Sequence, residues 1–539
     1  MRTTAILLLA LTACATSTPR SGTLYHGGTV FAGPEQTPRN DYAIYVEGGV
    51  IREVGPAGEL RSKYGSARTV DATNATILPG LTDAHGHLYG LGVALDTVSL
   101  VGTTSYDEVI ARTKARAGGS GWILGRGWDQ NDWPVKEFPT AAALDAAIGN
   151  QPVFLERVDG HAGLANTAAM RAAGITAATQ DPAGGKIVRD ANGNPTGVFI
   201  DTAMALVERN IPPVTYEQTK ARVLAAANRI AELGLTEMHD AGAGEDTIRA
   251  VKELIDEKRF PIRVYLMLNG SDAAQLERWF AQGPLVDYGG RLTVRSVKLY
   301  ADGALGSRGA ALLAPYADDP GNSGLMITKT EELERIARRA LAAGFQVNTH
   351  AIGDAGNRNS IDAYERAGVT PDKRFRIEHL QVIALDDIPR LARNGIIASM
   401  QPTHATSDMY WAEQRVGPER VRGAYAWRKI LDAGGRLALG SDFPVEEVNP
   451  FFGLYAAVTR QDQKGWPEGG WLPGERLTLA EAVRGFTADA AYAAFEEKSR
   501  GTIEVGKLAD FTIVEGDLTK MPAAELWKAK VVRTVVGGE

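Results

Sequence analysis

The chain has 539 residues, of which 44% are hydrophobic and 23% are charged, a composition typical of a soluble globular protein with a large core. This length exceeds one ordinary domain, although α/β barrels with insertions reach about 250 residues or more. The formal net charge of −7 offers no basic surplus, which argues against nucleic acid as the main partner.

Residues 1–21 have the pattern of an export signal followed by a short tether. One positive charge, Arg2, precedes an apolar run over 5–11 that is too short to span a bilayer as a helix. The Leu-Thr-Ala-Cys tetrad ending at Cys14, the only cysteine, resembles the bacterial lipoprotein signal, and Ala15 then favours the outer membrane. We therefore expect an exported periplasmic lipoprotein that contacts the membrane only through a lipid on Cys14. An ordinary cleaved signal is the alternative.

Short alternating strands with glycine turns are predicted at both ends of the chain. Residues 22–76 contain three such runs, residues 501–514 read as two strands, and residues 531–536 as another. Because this strand pattern occurs at both ends of the chain and not between them, it predicts one small β-sandwich domain assembled from 22–76 and 495–539.

The middle of the chain repeats a unit of helix, glycine and short apolar strand. Helices are predicted over 217–233, 331–343, 386–393 and 426–433, each followed by a strand, and 374–379 is a further strand. This rhythm predicts an α/β fold of parallel strands joined by crossover helices, a (β/α)8 TIM-type barrel over 77–494. A doubly wound sheet is the alternative, but the chain lacks a glycine-rich dinucleotide fingerprint.

Residues 121–201 interrupt this rhythm with many Gly, Pro, Asp and Trp residues. They predict an inserted subdomain near the barrel mouth. Trp128 and Trp133 lie in it, and for both we favour packing over contact with substrate. Together with Tyr410 and Trp411 they hint, by composition alone, at an apolar or aromatic substrate group.

Residues that can bind a metal end several of the predicted strands. His85 and His87 are two positions apart, so both imidazoles lie on one face of a strand. The other candidates are Lys298, His350, His379 and Asp442. A (β/α)8 barrel carries its active site at the C-terminal ends of its strands, and imidazole and carboxylate groups suit a Zn²⁺-type ion. The pattern therefore predicts a centre with one or two divalent ions, zinc being the first candidate.

Seven motifs resemble the amidohydrolase superfamily and, within it, the YtcJ-like metal-dependent hydrolases, which are related to N-substituted formamide deformylase. These motifs lie at 78–87, 125–130, 157–162, 297–303, 349–354, 377–379 and 440–444. The resemblance covers nearly the whole chain after the signal. It is specific for the superfamily and strong for the branch, but it does not identify the substrate.

This resemblance implies that His85 and His87 bind the more buried ion, and that His350 and His379 bind a second one. It also places Asp442 as a metal ligand that takes a proton from the attacking water and delivers it to the leaving group.

Lys298 stands where related enzymes carry a carboxylated lysine that bridges two metals. A free ammonium group has no lone pair and would repel a cation, so this role depends on the modification. The alternative is an ordinary charge-pairing lysine beside a single metal.

Four further residues are weaker candidates. His161 lies in a loop motif of the insertion and would orient the substrate or polarise its carbonyl, with a structural loop histidine as the alternative. Asp240 and His239 end a predicted strand and would support a metal ligand. His404, predicted to end another strand, is a candidate for contact with substrate.

These features predict a hydrolase that cleaves a C–N bond of amide type in a small molecule by means of a metal-activated hydroxide. Deamination, cyclic-amide or ester hydrolysis and isomerisation remain alternatives on the same site, because fold and metal do not select the substrate. A non-catalytic metal-containing binding lipoprotein is the alternative outside enzymes. The oligomeric state, including a homo-oligomer, stays open.

Overall fold

The computed structural model of the protein describes residues 22–119 and 121–539. The predicted export signal, the tether and Cys14 lie outside these residues. Among the helices in the described ranges, none combines the length and the apolar composition needed to cross a membrane.

Strands and helices alternate along most of the described chain. The strands are β1 (Thr23–Ala32), β2 (Thr37–Glu47), β3 (Val50–Pro56), β4 (Arg68–Asp71), β5 (Ala75–Pro79), β6 (Leu81–Gly86), β7 (Val98–Ser99), β8 (Ile123–Trp128), β9 (Val153–Arg157), β10 (Ala162–Ala165), β11 (Gly185–Arg189), β12 (Pro195–Asp201), β13 (Leu235–Ala243), β14 (Arg263–Asn269), β15 (Leu285–Tyr288), β16 (Leu292–Tyr300), β17 (Gln346–Ala351), β18 (Arg376–His379), β19 (Ile397–Met400), β20 (Arg436–Leu439), β21 (Phe511–Glu515) and β22 (Val531–Val535). The α-helices are α1 (Ala57–Lys63), α2 (Leu88–Asp96), α3 (Tyr106–Lys114), α4 (Ala141–Ile148), α5 (Thr167–Ala172), α6 (Ala205–Glu208), α7 (Tyr216–Glu232), α8 (Glu245–Asp256), α9 (Ala273–Gln282), α10 (Thr330–Ala343), α11 (Asp354–Ala367), α12 (Ile388–Asn394), α13 (Pro402–Asp408), α14 (Ala412–Arg420), α15 (Trp427–Asp432), α16 (Pro450–Thr459), α17 (Leu479–Gly485) and α18 (Ala488–Ala493).

A barrel of parallel strands positions the site, as predicted. In the described chain its strand order is β6, β13, β14, β16, β17, β18, β19 and β20, with β15 added antiparallel to β16. Backbone hydrogen bonds join its two ends, because Asp442 N donates to His85 O over 2.7 Å and His87 N donates to Phe443 O over 2.8 Å. The predicted (β/α)8 barrel is therefore confirmed, and its closure brings Asp442 against the His85–His87 segment.

A buried carboxylate supports this closure. Asp83 lies two residues before His85, on the same face of β6. It accepts hydrogen bonds from Ser441 Oγ over 2.6 Å, from Ser441 N over 3.1 Å and from His85 N over 3.0 Å. Burial raises the pKa of Asp83 to about 7, while these hydrogen bonds act in the opposite direction.

A second sheet combines strands from both ends of the chain. Its β1 pairs with β4 along its first half and with β5 further on, and β5 pairs in turn with β21. The prediction of two strands within 501–514 is only half right. Ile503 and Leu508 form isolated bridges to Ala32 and Val50, and the continuous strand is β21.

The apolar run that leads to His85 and His87 is two strands rather than one. β5 belongs to the terminal sheet, β6 belongs to the barrel, and Gly80 joins them. A Cβ on Gly80 would lie 2.2 Å from Thr236 Oγ1, so the two sheets approach too closely here for any larger residue. The barrel strand thus begins at Leu81, whereas the sequence placed the barrel from 77.

A third sheet forms the insertion, in the order β11, β12, β10, β9, β8 and β7. Adjacent residues of a strand point to opposite faces, and accordingly Leu155 joins one apolar cluster and Phe154 the other. This sheet begins at Val98, before the expected start at 121. The segment before 121 does not differ from barrel sequence, because its helix α3 is an ordinary amphipathic helix with a Ser105 cap.

Candidate metal centre

The barrel brings the predicted ligands together at the C-terminal ends of its strands. His85 lies in β6, Lys298 in β16, His350 in β17, His379 at the end of β18, and Asp442 beyond β20. The rings of His85 and His379 have centroids 4.6 Å apart, as do the rings of His379 and His350. Residues separated by more than 350 positions therefore form one compact cluster.

Three of these residues have the geometry of a metal-binding group. One donor atom each of His85, His379 and Asp442 lies within 4.8 Å of the other two, and all three residues are buried. Two nitrogen donors and one oxygen donor at this separation suit a divalent ion of the zinc type.

The two oxygens of Asp442 face different partners. Oδ1 lies 3.0 Å from His87 Nε2 and 3.5 Å from His85 Nε2, and Oδ2 lies 3.7 Å from His404 Nε2. Burial raises the pKa of Asp442, but the imidazoles of His87, His85 and His404 outweigh burial and hold that pKa well below its usual range. The carboxylate is therefore ionised across the physiological pH range, as a metal ligand must be.

Lys298 lies beside His85 in the same cluster. Its Nζ is 3.3 Å from His85 Nε2, and the residue is only 1% exposed. Burial lowers the pKa of Lys298 to about 8, and none of the ion pairs found in the described residues includes it. A positive ammonium facing an imidazole nitrogen does not fit a cation, whereas a carbamylated lysine does, because it presents oxygen donors.

A buried carboxylate holds His85 in one orientation. His85 Nδ1 donates to Glu378 Oε2, which leaves Nε2 and its lone pair facing Lys298 and Asp442. Burial, with a contribution from Lys298, lowers the pKa of His85 to about 4, so the imidazole is neutral at pH 7. This arrangement prepares Nε2 for a metal.

Glu378 is in turn held by an arginine. Arg376 Nε and Nη2 lie 2.8 and 2.9 Å from the two oxygens of Glu378, and both side chains are fully buried. Burial raises the pKa of Glu378, but Arg376 and His85 outweigh burial and lower that pKa well below its usual range. Arg376 also donates to Ser399 Oγ over 2.8 Å and to His239 Nδ1 over 2.9 Å.

His239 and Asp240 lie beside different neighbours of the predicted ligands. His239 Nδ1 accepts a hydrogen bond from Arg376, which in turn pairs with Glu378. Asp240 Oδ1 accepts a hydrogen bond from Leu88 N over 3.2 Å, which fixes the start of α2 directly after His87. Burial raises the pKa of Asp240 to about 6.

His379 and His404 are also oriented by neighbouring amides. His379 Nδ1 donates to Gln401 Oε1 over 2.9 Å, which leaves its Nε2 free. Gln381 Nε2 donates to His404 Nδ1 over 3.2 Å, which leaves His404 Nε2–H beside Asp442. The prediction that His404 ends a strand is wrong, because β19 ends at Met400 and His404 lies in α13, whose first turn contains Pro402.

His161 is separate from this cluster. Its side chain is 74% exposed, and its Nδ1 lies 2.9 Å from Asp201 Oδ1 within the insertion. Neither this contact nor its backbone hydrogen bond to the Asp159 side chain reaches the metal candidates. The structure therefore leaves the predicted substrate role of His161 without a contact to support it.

Trp128 is a core residue of the insertion. It is fully buried, its Nε1 donates to Leu155 O over 2.8 Å, and its ring packs near Trp133 and Phe138. A side chain enclosed in this way cannot reach a substrate. These contacts support the packing interpretation of Trp128.

The Trp128→Ala variant is accordingly expected to lower the free energy of unfolding of the insertion by about 3–5 kcal/mol, because it leaves a large cavity and an unpaired carbonyl. Turnover by the folded protein should stay within about twofold of the wild type. Denaturant unfolding followed by tryptophan fluorescence, and initial rates at 15 °C, measure the two effects. A large loss of turnover in a variant of wild-type stability would restore the substrate role.

The cluster opens into a cavity of about 420 Å³. Metal candidates form one end, and the rest is lined by Tyr300, Leu305, Ile352, Trp411 and Val445 together with polar residues that include Asp408 and Glu446. Another cavity, of about 460 Å³, lies at the surface between α8 and α9 and contains none of the metal candidates. Of these two cavities, the first joins the metal candidates to a mainly apolar surface, as small-molecule sites commonly do.

Sequence reasoning missed the residues that orient the ligands, above all Arg376, Glu378 and Gln401. Glu378 stood inside a recognised motif and is two residues from Arg376, a spacing that predicts a shared face. The sequence gives no sign of the left-handed backbone conformation at His379, whose φ is 74°. That turn lets Glu378 and His379 both approach His85, although alternation along a regular strand would separate them.

Known proteins resemble this chain over almost its full length. The profile of the amidohydrolase family matches residues 68–539. The chain is 34% identical to "Putative amidohydrolase YtcJ" of Bacillus subtilis (strain 168), over 96% of this chain and 98% of that protein. It is 28% identical to N-substituted formamide deformylase of Arthrobacter pascens, over 92% and 94% of the two chains. The crystal structure of an uncharacterized metal-dependent hydrolase from Pyrococcus horikoshii OT3 superposes with a TM-score of 0.76 at 27% identity, covering 93% of this chain and 99% of that one.

Proposed function

The chain belongs to the amidohydrolase family, and on that premise we propose that it hydrolyses a C–N bond of amide type in a small molecule with the help of one or two divalent ions, zinc being the first candidate. The observation that carries this proposal is the convergence of His85, His379 and Asp442 at the end of an apolar cavity. The name of the formamide deformylase relative supports an amide as the bond type.

The proposed ligands divide into two groups. His85 and His87 would hold one ion with Asp442, while His350 and His379 would hold a second, and a carbamylated Lys298 would lie between them. If Lys298 stays unmodified, the cluster would hold a single ion. An ion bound here supplies Lewis-acid polarisation of the carbonyl and lowers the pKa of a coordinated water to about 7.

The side chains carry the proton transfers. Asp442 is ionised, and its Oδ2 points away from His85 and His87, so this oxygen can accept a proton from the attacking water and pass it to the leaving nitrogen. His404 presents its Nε2–H beside Oδ2, where it can donate a hydrogen bond to the substrate carbonyl. Trp411 and Leu305 form an apolar wall on one side of this space.

Metal analysis and hydrolysis together test this function. The purified full chain should contain one to two equivalents of a divalent ion, and a chelator should abolish hydrolysis of N-acyl amines until zinc is restored. The His379→Ala variant should lose metal, while the matched His161→Ala variant, which removes an exposed histidine, should keep it. A folded protein without stoichiometric metal, or a metal-loaded one that cleaves esters or deaminates amines but leaves every amide intact, would refute the proposal.

A further inference from the structure

We propose that the cavity selects amides whose substituent is apolar or carries a positive charge, and that it discriminates against substrates that carry a carboxylate. This inference rests on the proposed function, since it names the substrate class of the same site. It follows from the charged residues that line the cavity. The end with the metal candidates contains Lys298, whereas the other end contains Glu446 and Asp408.

The part of the cavity beyond the metal candidates is apolar. Leu305 and Ile352 form a buried surface, 1% and 5% exposed, and the rings of Tyr300 and Trp411 are partly buried beside them. Gly306 lies beneath Trp411, because a Cβ at this position would be 3.3 Å from the indole ring. An apolar or aromatic substituent would therefore replace water against flat and aliphatic surfaces, which is favourable in proportion to the area covered.

The mouth of this apolar part is acidic. Glu446 lies there, and its Oε1 accepts a hydrogen bond from Ser407 Oγ over 2.6 Å, which holds the carboxylate at the rim. Asp408, the other acidic residue of this part, accepts from the Tyr425 hydroxyl. Among the described residues that line the cavity, Lys298 is the only lysine or arginine, and it lies among the metal candidates.

The arginine behind this wall is already engaged. The Arg415 guanidinium lies 5.6 Å from the centroid of the Trp411 ring, but it pairs with Asp318 and also donates to Gly306 O. Asp318 in turn binds Arg308 over 2.9 Å. Arg415 therefore supports the wall from outside and offers no free charge to a substrate carboxylate.

A substrate carboxylate beyond the metal end would thus meet the Glu446 carboxylate and find no cation to pair with. Burying an unpaired charge is unfavourable, and repulsion from a like charge adds to that penalty. A cationic substituent would meet Glu446 and the faces of Trp411 and Tyr300, which attract cations. The cavity consequently fits N-acyl amines and excludes N-acyl amino acids.

A matched set of ligands tests this selection. N-formyl-2-phenylethylamine, N-formylphenylalanine and N-formylphenylalanine amide share one skeleton, and only the second carries a negative charge. Calorimetric titration of the zinc-loaded Asp442→Asn variant should give at least tenfold weaker binding for the carboxylate than for either neutral ligand. The same order is expected for kcat/KM in the wild-type holoenzyme.

Two neighbouring glutamates provide the variant and its control. Glu446→Gln should reduce the ratio of the binding affinities of the neutral amide and the carboxylate at least threefold, because it removes the like charge. Glu447→Gln removes an exposed charge that does not line the cavity and should leave the ratio unchanged.

The outcomes separate the two proposals. Binding of the carboxylate as tight as that of the neutral amide, or no binding of any of the three ligands, would overturn the inferred selectivity. If the binding order holds but the wild-type holoenzyme cleaves none of the ligands, the selectivity stands and the proposed amide hydrolysis fails.

Discussion

Replacing Asp442 with asparagine is expected to lower kcat by about 10²–10⁴-fold while the protein keeps its metal. Asparagine has the shape of aspartate and retains one oxygen donor, but it cannot accept the proton of the attacking water. Asp442 is held by backbone hydrogen bonds that close the barrel, so the substitution should not move the side chain. Steady-state rates and metal analysis of the same preparation measure the two quantities.

Asp201→Asn is the matched control for this prediction. It makes the same chemical change at a carboxylate that binds His161 in the insertion, outside the site. Its kcat should stay within about twofold of the wild type. If Asp442→Asn instead retains both metal and turnover, Asp442 does not move the proton; if metal is lost together with turnover, its role is that of a ligand alone.

Replacing Arg376 with methionine is expected to lower the free energy of unfolding of the barrel by about 3–5 kcal/mol. Glu378 would remain as a fully buried charge without its arginine, and His239 and Ser399 would each lose a hydrogen-bond donor. Denaturant unfolding of the metal-free protein measures this loss. Arg335→Met removes an exposed arginine paired with Glu332 and should cost less than about 1 kcal/mol.

Metal affinity tests whether the buried pair of Arg376 and Glu378 orients His85 in addition to stabilising the fold. Because Glu378 holds the His85 imidazole with Nε2 toward the site, the double variant Arg376→Met, Glu378→Leu should bind metal about 10–100-fold more weakly. Its stability should nevertheless exceed that of Arg376→Met, since no unpaired charge remains. Wild-type metal affinity in the double variant would show that Glu378 contributes only to packing. Arg376→Met with the stability of the wild type would contradict the first prediction.

Much of the barrel could be predicted because its signals are local. The helix over 217–233 and the strand after it appear as α7 and β13 nearly unchanged, since amphipathic periodicity and a Thr215 capping box act within one segment. The start of the insertion was not predictable in this way. Its first helix, α3, has the same periodicity as a barrel helix, and only its packing against the inserted sheet distinguishes it.

The candidate ligands were identifiable for a similar reason. His85 and His87 share a face through the period of a strand, and Lys298, His350 and His379 lie where apolar runs end, so residue type and spacing alone mark them. By contrast, only the coordinates separate His161 and Trp128 from the cluster of candidate ligands. Both stood in motifs of the right kind, but one is exposed in the insertion and the other is enclosed in its core.

The kinds of candidate metal donor in this protein and their order along the chain are properties of local sequence, because a strand presents alternate residues to one face whatever surrounds it. The use of these donors depends on contacts between distant segments. Glu378 reaches His85, and Arg376 reaches the Ala84 carbonyl, across almost 300 residues. Glu446 meets the apolar wall of Trp411 only after the barrel has closed. Tautomer, charge and the selectivity of the cavity are set by those neighbours, since hydrogen bonding and electrostatic repulsion depend on distance in space rather than on distance along the chain.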